Sequence, residues 1–197
     1  MNRRRLADLL RQSLEHERCG VLVYQMALEC VVNRDLRLEW QEYLEQTRTH
    51  VQILTDLCRE FAIDPDASTP GSDVIQLLGA ALAEAIHRAQ KNGDADAAEL
   101  VACECVVLAE TKDHLDWELL AMCAGKLRGS EAKSLKSAHD EVADEEDEHL
   151  YHTKGWCREL WIRALGMRAL LPPPEEQKHV KTAIGAARAQ QAAHRAH

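Results

Sequence analysis

The sequence predicts an all-α fold: a four-helix bundle with an extra helix in a long crossover between the second and third bundle helices. Alanine, leucine, glutamate, arginine and glutamine dominate the long periodic segments, and glycine and proline are scarce within them. The 197 residues are 46% hydrophobic and 29% charged, which is typical of a globular chain with a single core.

Four ranges describe the first half of the predicted bundle. Apolar periodicity predicts helices over about 3–32 and 36–62, and the short break between them makes these helices antiparallel neighbours. A segment rich in turn residues, 64–72, precedes a helix over about 73–91. That helix would be about 30 Å long, close to the height of the bundle, so it can carry the chain back to the end where the next helix starts.

Two further helices complete the bundle. One spans about 95–127, and the other spans about 130–165, with a serine as its first residue that can cap it. Three consecutive prolines, 172–174, then end the helical domain. We expect residues 1–170 to form the bundle, and residues 171–197 to form a tail that is a loose helix, a partner-binding segment or disordered.

Charge and cysteine usage restrict the class of protein. The net charge of −9 disfavours nucleic acid and anionic membranes as partners. No apolar run approaches the ~18 residues that a membrane span needs, and no apolar core follows the basic start of the chain, so we expect no signal peptide. Seven cysteines without disulfide-like spacing indicate a reducing compartment, and we expect a cytoplasmic protein.

Glu146 and His149 carry the strongest signal in the sequence. They are three residues apart, the spacing at which a bundle helix presents two metal ligands from one face. At ~100° per residue, Glu146 falls in the middle of an apolar stripe, with His139 on the stripe and His149 at its edge. A buried carboxylate is unfavourable unless something pairs with it, and a metal ion provides that pairing. Glu145 and His152 point away from the stripe and are expected to be solvated.

Each of the other three bundle helices also carries a ligand-type residue on its apolar face. These residues are Glu17, His50 and Glu110, and His114 shares the face of Glu110. Glu17 and His50 lie at nearly equal distances from the turn that joins their helices, and Glu110 and Glu146 do so from theirs. Because antiparallel partners at equal distance from a turn sit at equal height, the four groups should converge on one layer in the middle of the bundle.

This set of residues resembles the ferritin-like di-iron carboxylate superfamily, which includes ferritins, bacterioferritins, rubrerythrins and manganese catalases. The resemblance covers about residues 5–165, and the stretch 42–51 is similar to a bacterial stress-associated branch of the superfamily. The matching residues are Glu17, Tyr24, His50, Glu110, Trp117, Glu146 and His149.

The resemblance implies a metal site in the bundle core. It would hold one or two iron ions, with manganese or zinc as alternatives, and the protein would be an oxidoreductase that acts on oxygen or peroxide in a stress response. The implied metal ligands are Glu17, His50, Glu110, Glu146 and His149.

One position departs from the superfamily pattern. The second bundle helix of the superfamily also carries Glu-x-x-His, but here Thr47 stands three residues before His50. With fewer carboxylates, the site could hold one metal ion instead of two. The candidates for additional ligands, or for hydrogen-bond partners of ligands, are Gln46, Thr47, Tyr24, His114 and His139.

Other functions remain open at this point. In one alternative the protein is a metal-free helical interaction protein whose buried polar groups form a structural hydrogen-bond network, and the threonine at position 47 favours it. A weaker alternative is a thiol-based redox sensor that uses the seven cysteines.

The helix over 95–127 is also apolar on its outer face, which favours a homodimer. A helix that is apolar all round is expected to be buried all round. We expect the crossover helix and a second subunit to cover this face together. The residues on it are Val101, Leu108, Leu115, Leu119 and Met122.

Overall fold

The computed structural model describes residues 1–196, which form helices and no strand, so the all-α prediction is confirmed for this part of the chain. No helix within these residues has the combined length and apolar character that crossing a membrane requires. The helices are α1 (Arg3–Cys30), α2 (Arg34–Glu60), α3 (Pro70–Lys91), α4 (Ala95–Ala124), α5 (Ser130–Ala164), α6 (Pro174–Gln177) and α7 (Ala183–Ala196).

Polar caps determine where α2 and α3 begin. The Asn33 side chain accepts hydrogen bonds from the backbone N–H groups of Asp35 and Leu36. Thr69 and Ser72 form a reciprocal capping box at the start of α3. Because these caps satisfy backbone donors outside the apolar stripe, both helices start a few residues earlier than the apolar pattern alone predicts.

The start of α5 differs from the expected serine cap. The residue before the helix is Gly129, which has φ 76°, and no side chain caps the helix there. Glycine adopts this conformation readily because it has no Cβ. The turn into α5 is therefore made by backbone freedom at Gly129 and not by the Ser130 hydroxyl.

Glu99, at the start of α4, ties together one end of the helices. Its fully buried carboxylate accepts hydrogen bonds from the backbone N–H groups of Val32 and Asn33, at 2.8 and 2.6 Å. It also accepts one from Arg163, near the end of α5, at 2.9 Å. The end of α1, the start of α4 and the end of α5 therefore meet at this end of the protein.

Two buried apolar clusters fill the space between α1, α2, α4 and α5. One joins the C-terminal halves of α1 and α5 to the N-terminal halves of α2 and α4, and includes Tyr24, Trp40 and Trp156. The other joins the opposite halves, and includes Leu54 and Trp117. A layer of buried polar side chains lies between the two clusters, at the middle of the helices.

The crossover helix α3 packs along α1 and α4. Gly79 permits the close approach, because a Cβ at this position would lie 2.5 Å from the Sγ of Cys19. Ile75 and Ile86 anchor the helix, with 5% and 0% of their surface exposed. α3 therefore covers part of the outer face of α4.

The chain after the three prolines folds back onto α5. Arg158 of α5 donates two hydrogen bonds to the Glu175 carboxylate, at 2.7 and 2.8 Å, and Glu175 is buried. Gly155 leaves room for this contact, since a Cβ there would lie 2.6 Å from Glu175 Oε2. Ala189 and Ala193 of α7 are fully buried, so the tail contains two helices and packs through one face of α7.

Candidate metal centre

The five residues predicted to bind metal lie together in the polar layer. Each comes from one of the four long helices that surround the core, with α5 supplying two of them. All five are at most 3% exposed. They are Glu17 of α1, His50 of α2, Glu110 of α4, and Glu146 and His149 of α5.

The five side chains form two adjoining groups that share Glu146. In one group, His50 Nδ1 lies 3.1 Å from Glu146 Oε1 and 3.4 Å from Glu17 Oε1. In the other, His149 Nδ1 lies 3.6 Å from both Glu110 Oε2 and Glu146 Oε1. Within each group of three, one ligand atom per residue lies within 4.8 Å of the others. Each group therefore offers one imidazole nitrogen and two carboxylate oxygens around a common point.

Both imidazole rings are oriented by a hydrogen bond on their outer side. His50 Nε2 lies 2.8 Å from Glu145 Oε2, and His149 Nε2 lies 2.8 Å from Gln46 Oε1. Since carboxylate and amide oxygens accept, each Nε2–H donates outwards and each Nδ1 faces the carboxylates. Metal-binding histidines in proteins are usually held in this way, with the distal N–H bonded to an oxygen acceptor.

Aromatic side chains support two of the carboxylates. Trp117 Nε1 donates a hydrogen bond of 2.7 Å to Glu17 Oε1. The buried Tyr24 hydroxyl approaches Glu110, although it forms no well-aligned hydrogen bond within the described residues. The bond from Trp117 leaves the other oxygen of Glu17, Oε2, without a hydrogen-bond partner among the described residues.

Several inner atoms of the cluster have no hydrogen-bond partner in the part of the chain that the structure describes. They include one oxygen each of Glu17 and Glu110, both oxygens of Glu146, and Nδ1 of His50. Buried polar atoms are rarely left in this condition, because desolvation is costly without a compensating contact. A cation at the centre of each group would satisfy these atoms, so the residues present fit a metal ion.

The cluster also changes the proton affinities of its members. Burial raises the pKa of the Glu146 carboxyl to about 7, although the His50 imidazole, whose Nδ1 lies 3.1 Å away, opposes the shift. Burial acts to lower the pKa of His50, but Glu17 and the neighbouring carboxylates outweigh it and hold this pKa well above its usual range. The pKa of His149 is likewise raised, by Glu110 against burial. Protons therefore compete with a metal ion for these groups.

Thr47, at the position where the resemblance implies a glutamate, does not offer its hydroxyl to the cluster. The side chain is buried, and Oγ1 donates a hydrogen bond of 2.8 Å to the Tyr43 carbonyl within α2. Its methyl group faces Gly20 of α1, where a Cβ would lie 3.2 Å away. His50 is therefore the one member of the two groups that α2 provides.

His114 and His139 lie outside both groups. His114 Nε2 is 2.9 Å from Asp147 Oδ1, and the side chain is 16% exposed. His139 is 27% exposed, and its Nδ1 lies 3.6 Å from Asp140. Together with Glu146, the two histidines line a cleft of about 350 Å³. This cleft brings the surface of the protein close to the shared carboxylate.

The prediction that His152 is solvated is wrong, and Glu145, whose side chain is 36% exposed, is only partly solvated. Glu145 is partly buried against His50, and His152 is 4% exposed. His152 Nδ1 lies 2.9 Å from Glu39 Oε1 and 3.0 Å from the Tyr43 hydroxyl. A helical wheel assumes a single buried face, but α5 is packed against α2 and α4 on different flanks and against α6 as well. Side chains outside the main apolar stripe are therefore also buried.

Comparison with known proteins finds no matching family model, no matching curated protein and no matching solved structure. The class of protein is defined by the structure itself. It is an all-α protein in which buried carboxylate and imidazole groups are placed where they could hold a metal ion, and this arrangement is compatible with a ferritin-like bundle.

Proposed function

We propose that this protein is a ferritin-like metalloprotein that holds iron or manganese ions in the core of an up-down-down-up four-helix bundle. The observation that carries the proposal is the pair of buried groups that share Glu146. The helix directions are supported by the two apolar clusters, each of which joins one half of α1 and α5 to the opposite half of α2 and α4.

The charge of the two groups favours one tightly bound ion and a second, weaker one. Glu17, Glu110 and Glu146 supply three negative charges, while His50 and His149 bind metal as neutral imidazoles. Two divalent ions would bring four positive charges into a buried site, so one positive charge would have no negative charge to compensate it. A glutamate at position 47 would provide the fourth negative charge and a second shared carboxylate.

Bound iron or manganese would supply the electrons for the reduction of oxygen or peroxide, the reaction class that the resemblance implies. The chain itself holds the ligands in a fixed orientation through Glu145, Gln46 and Trp117. The apolar clusters above and below the polar layer exclude water. The cleft beside His114 and His139 is the proposed entry route for a small oxidant.

Anaerobic Fe²⁺ titration of metal-depleted protein tests the proposal. We expect the core to bind one ion tightly and a second more weakly, and Thr47→Glu to strengthen the second step because it adds a fourth carboxylate. Thr49→Glu is the matched control, since Thr49 is exposed on the outer side of the same helix. A chain that binds no Fe²⁺, or that responds identically to the two substitutions, would overturn the proposed site.

A metal-free structural network is the second candidate function. The short distances from His50 to Glu17 and Glu146 favour it, because a protonated imidazole could pair with both carboxylates. The two candidates predict opposite effects of Glu146→Gln in chelator at pH 8. If the cluster serves a metal, removing a buried like charge stabilises the metal-free protein by ~1–3 kcal/mol. If it is a structural network, the substitution breaks an ion pair and destabilises the protein by a similar amount.

A further inference from the structure

A second cluster of buried ligand-type side chains lies between α1 and α4, apart from the two groups around Glu146. It consists of His16, Asp113 and Asp116, which are 7%, 5% and 0% exposed. One ligand atom of each lies within 4.8 Å of the others. None of the three residues belongs to the two groups described above. Asp113 follows Glu110 by one helical turn, and its pKa is raised mainly by burial and further by the core carboxylates.

The orientation of His16 is fixed by the backbone of α4. His16 Nε2 lies 3.0 Å from the Ala109 carbonyl oxygen. A carbonyl oxygen can only accept a hydrogen bond, so Nε2 carries the proton, and in the neutral ring Nδ1 carries the free lone pair. Nδ1 lies 3.9 Å from Asp116 Oδ2, which is too long for a hydrogen bond. Two electron-rich atoms therefore face each other with no proton between them.

Three atoms of the cluster have no hydrogen-bond partner within residues 1–196. They are His16 Nδ1, Asp113 Oδ1 and Asp116 Oδ2. The other oxygen of Asp116 is already used, because the Lys112 ammonium lies 2.5 Å from it and the Gln12 amide 3.4 Å. Lys112 thus compensates one side of Asp116 and leaves the side that faces His16 uncompensated.

We propose that His16, Asp113 and Asp116 form a separate binding site for a divalent transition-metal cation. One imidazole nitrogen and two carboxylate oxygens suit Mn²⁺, Fe²⁺, Co²⁺ or Zn²⁺, whereas Ca²⁺ prefers oxygen ligands alone and Cu⁺ prefers sulfur. His16 and Lys112 also line a groove of about 230 Å³ between α1, α3 and α4. The groove therefore brings solvent close to one side of the cluster.

Co²⁺ binding to a variant with a disabled core tests this site without reference to the core ions. In the double variant Glu17→Gln, Glu146→Gln, we expect one Co²⁺ per chain by titration calorimetry, with visible absorption bands that report nitrogen and oxygen ligands. Adding Asp113→Asn and Asp116→Asn should abolish this binding. The matched control is Asp140→Asn, since Asp140 is an exposed aspartate paired with Lys136. Absence of Co²⁺ in the core-disabled variant, or binding that survives the two asparagine substitutions, would overturn the proposal.

If the asparagine variants fold poorly, the Co²⁺ affinity of Lys112→Met provides a second test of the site. Removing the ammonium takes a positive charge away from the cation, so the affinity for Co²⁺ should rise about tenfold. If Lys112 is instead the sole counter-ion of the cluster, the same substitution lowers the melting temperature and leaves Co²⁺ binding absent, which refutes the site. In wild-type protein, Asp116→Asn should remove one ion and leave the core ions bound, so the two metal proposals succeed or fail separately.

Discussion

Glu145 shows how one residue outside the cluster can control it. Its carboxylate accepts a hydrogen bond from His50 Nε2, and this bond lowers the pKa of Glu145 below its usual value despite the opposing effect of partial burial. The bond keeps the imidazole in the tautomer whose Nδ1 faces Glu17 and Glu146. The orientation of the His50 ring is thus set before any ion binds.

We expect Glu145→Gln to weaken Mn²⁺ binding by about 10- to 100-fold, because an amide is a weaker acceptor and no longer fixes the tautomer of His50. The measurement is titration calorimetry of metal-depleted protein. Glu45→Gln is the matched control, as Glu45 is exposed and paired with Arg48 on the neighbouring helix α2. Equal affinities for the two variants would mean that Glu145 does not orient His50.

The sequence predicted the members of the cluster but not their partners. Hydrophobic periodicity places Glu17, Glu110 and Glu146 on inward faces because it depends only on the axis of each helix. Contacts such as that of Glu145 with His50 depend on which helices pack on the flanks of α5. A helical-wheel projection of α5 gives no information about which helices pack on its flanks. The buried His16 was missed for a related reason, since it points towards α4 from beside Glu17.

At the level of helices, the sequence predicted all five long elements but not the packing of the tail. The ends of α1 to α5 follow from apolar periodicity, turn residues and caps. The docking of α6 depends instead on the ion pair between Arg158 and Glu175 and on the missing side chain at Gly155. These residues lie far enough apart along the chain that no local pattern links them.

Gly155→Ala should destabilise the protein by about 1–3 kcal/mol, because the new Cβ would overlap Glu175 Oε2 and would lie 3.0 Å from the Cβ of Pro173. Urea denaturation measures the change. Gly125→Ala is the control: Gly125 has φ −66° and only ordinary contacts at 3.6 Å or more, so alanine there should be neutral or stabilising by about 0.4–1 kcal/mol. If both variants were equally stable, α6 would not be packed on α5 at this point.

On the scale of the whole molecule, an apolar stripe on α4 and α3 remains exposed. Leu108, Leu115 and Met122 repeat at heptad spacing on α4 and are 62%, 45% and 68% exposed. Leu78 of α3 is also exposed and lines a groove together with Leu108, and Leu77 is the exposed residue before it. Exposed apolar stripes of this kind are typical of helix-mediated association. We therefore expect the homodimer to form through this exposed stripe.

Leu115→Glu should shift the protein from dimer to monomer, because a charge at the centre of the stripe would have to be buried in the interface. Light scattering coupled to size-exclusion chromatography measures the mass. The control is Leu38→Glu, on the far side of the molecule in α2, where the leucine is 55% exposed. A wild-type protein that is monomeric at every concentration tested would contradict the dimer.

The metal-free protein should become less stable as pH rises from about 5 to 8. Burial raises the pKa of Glu146 to about 7, so the folded state holds this proton more tightly than the unfolded state does. The resulting stability is present below the unfolded pKa of 4.5 and is lost as pH rises through 7, by on the order of 3 kcal/mol. His50 and His149, whose pKa values are also raised, act in the same direction above pH 6.5.

Thermal melts in chelator across this range measure the effect, and Glu146→Gln should flatten the profile because it removes the titrating carboxyl. Glu45→Gln, at an exposed position, should leave the profile unchanged. Adding Mn²⁺ should stabilise the wild-type protein more at pH 8 than at pH 5, since the ion must displace protons from the same groups. A profile that Glu146→Gln does not alter, or an Mn²⁺ effect independent of pH, would show that these buried groups do not titrate together and do not bind the ion.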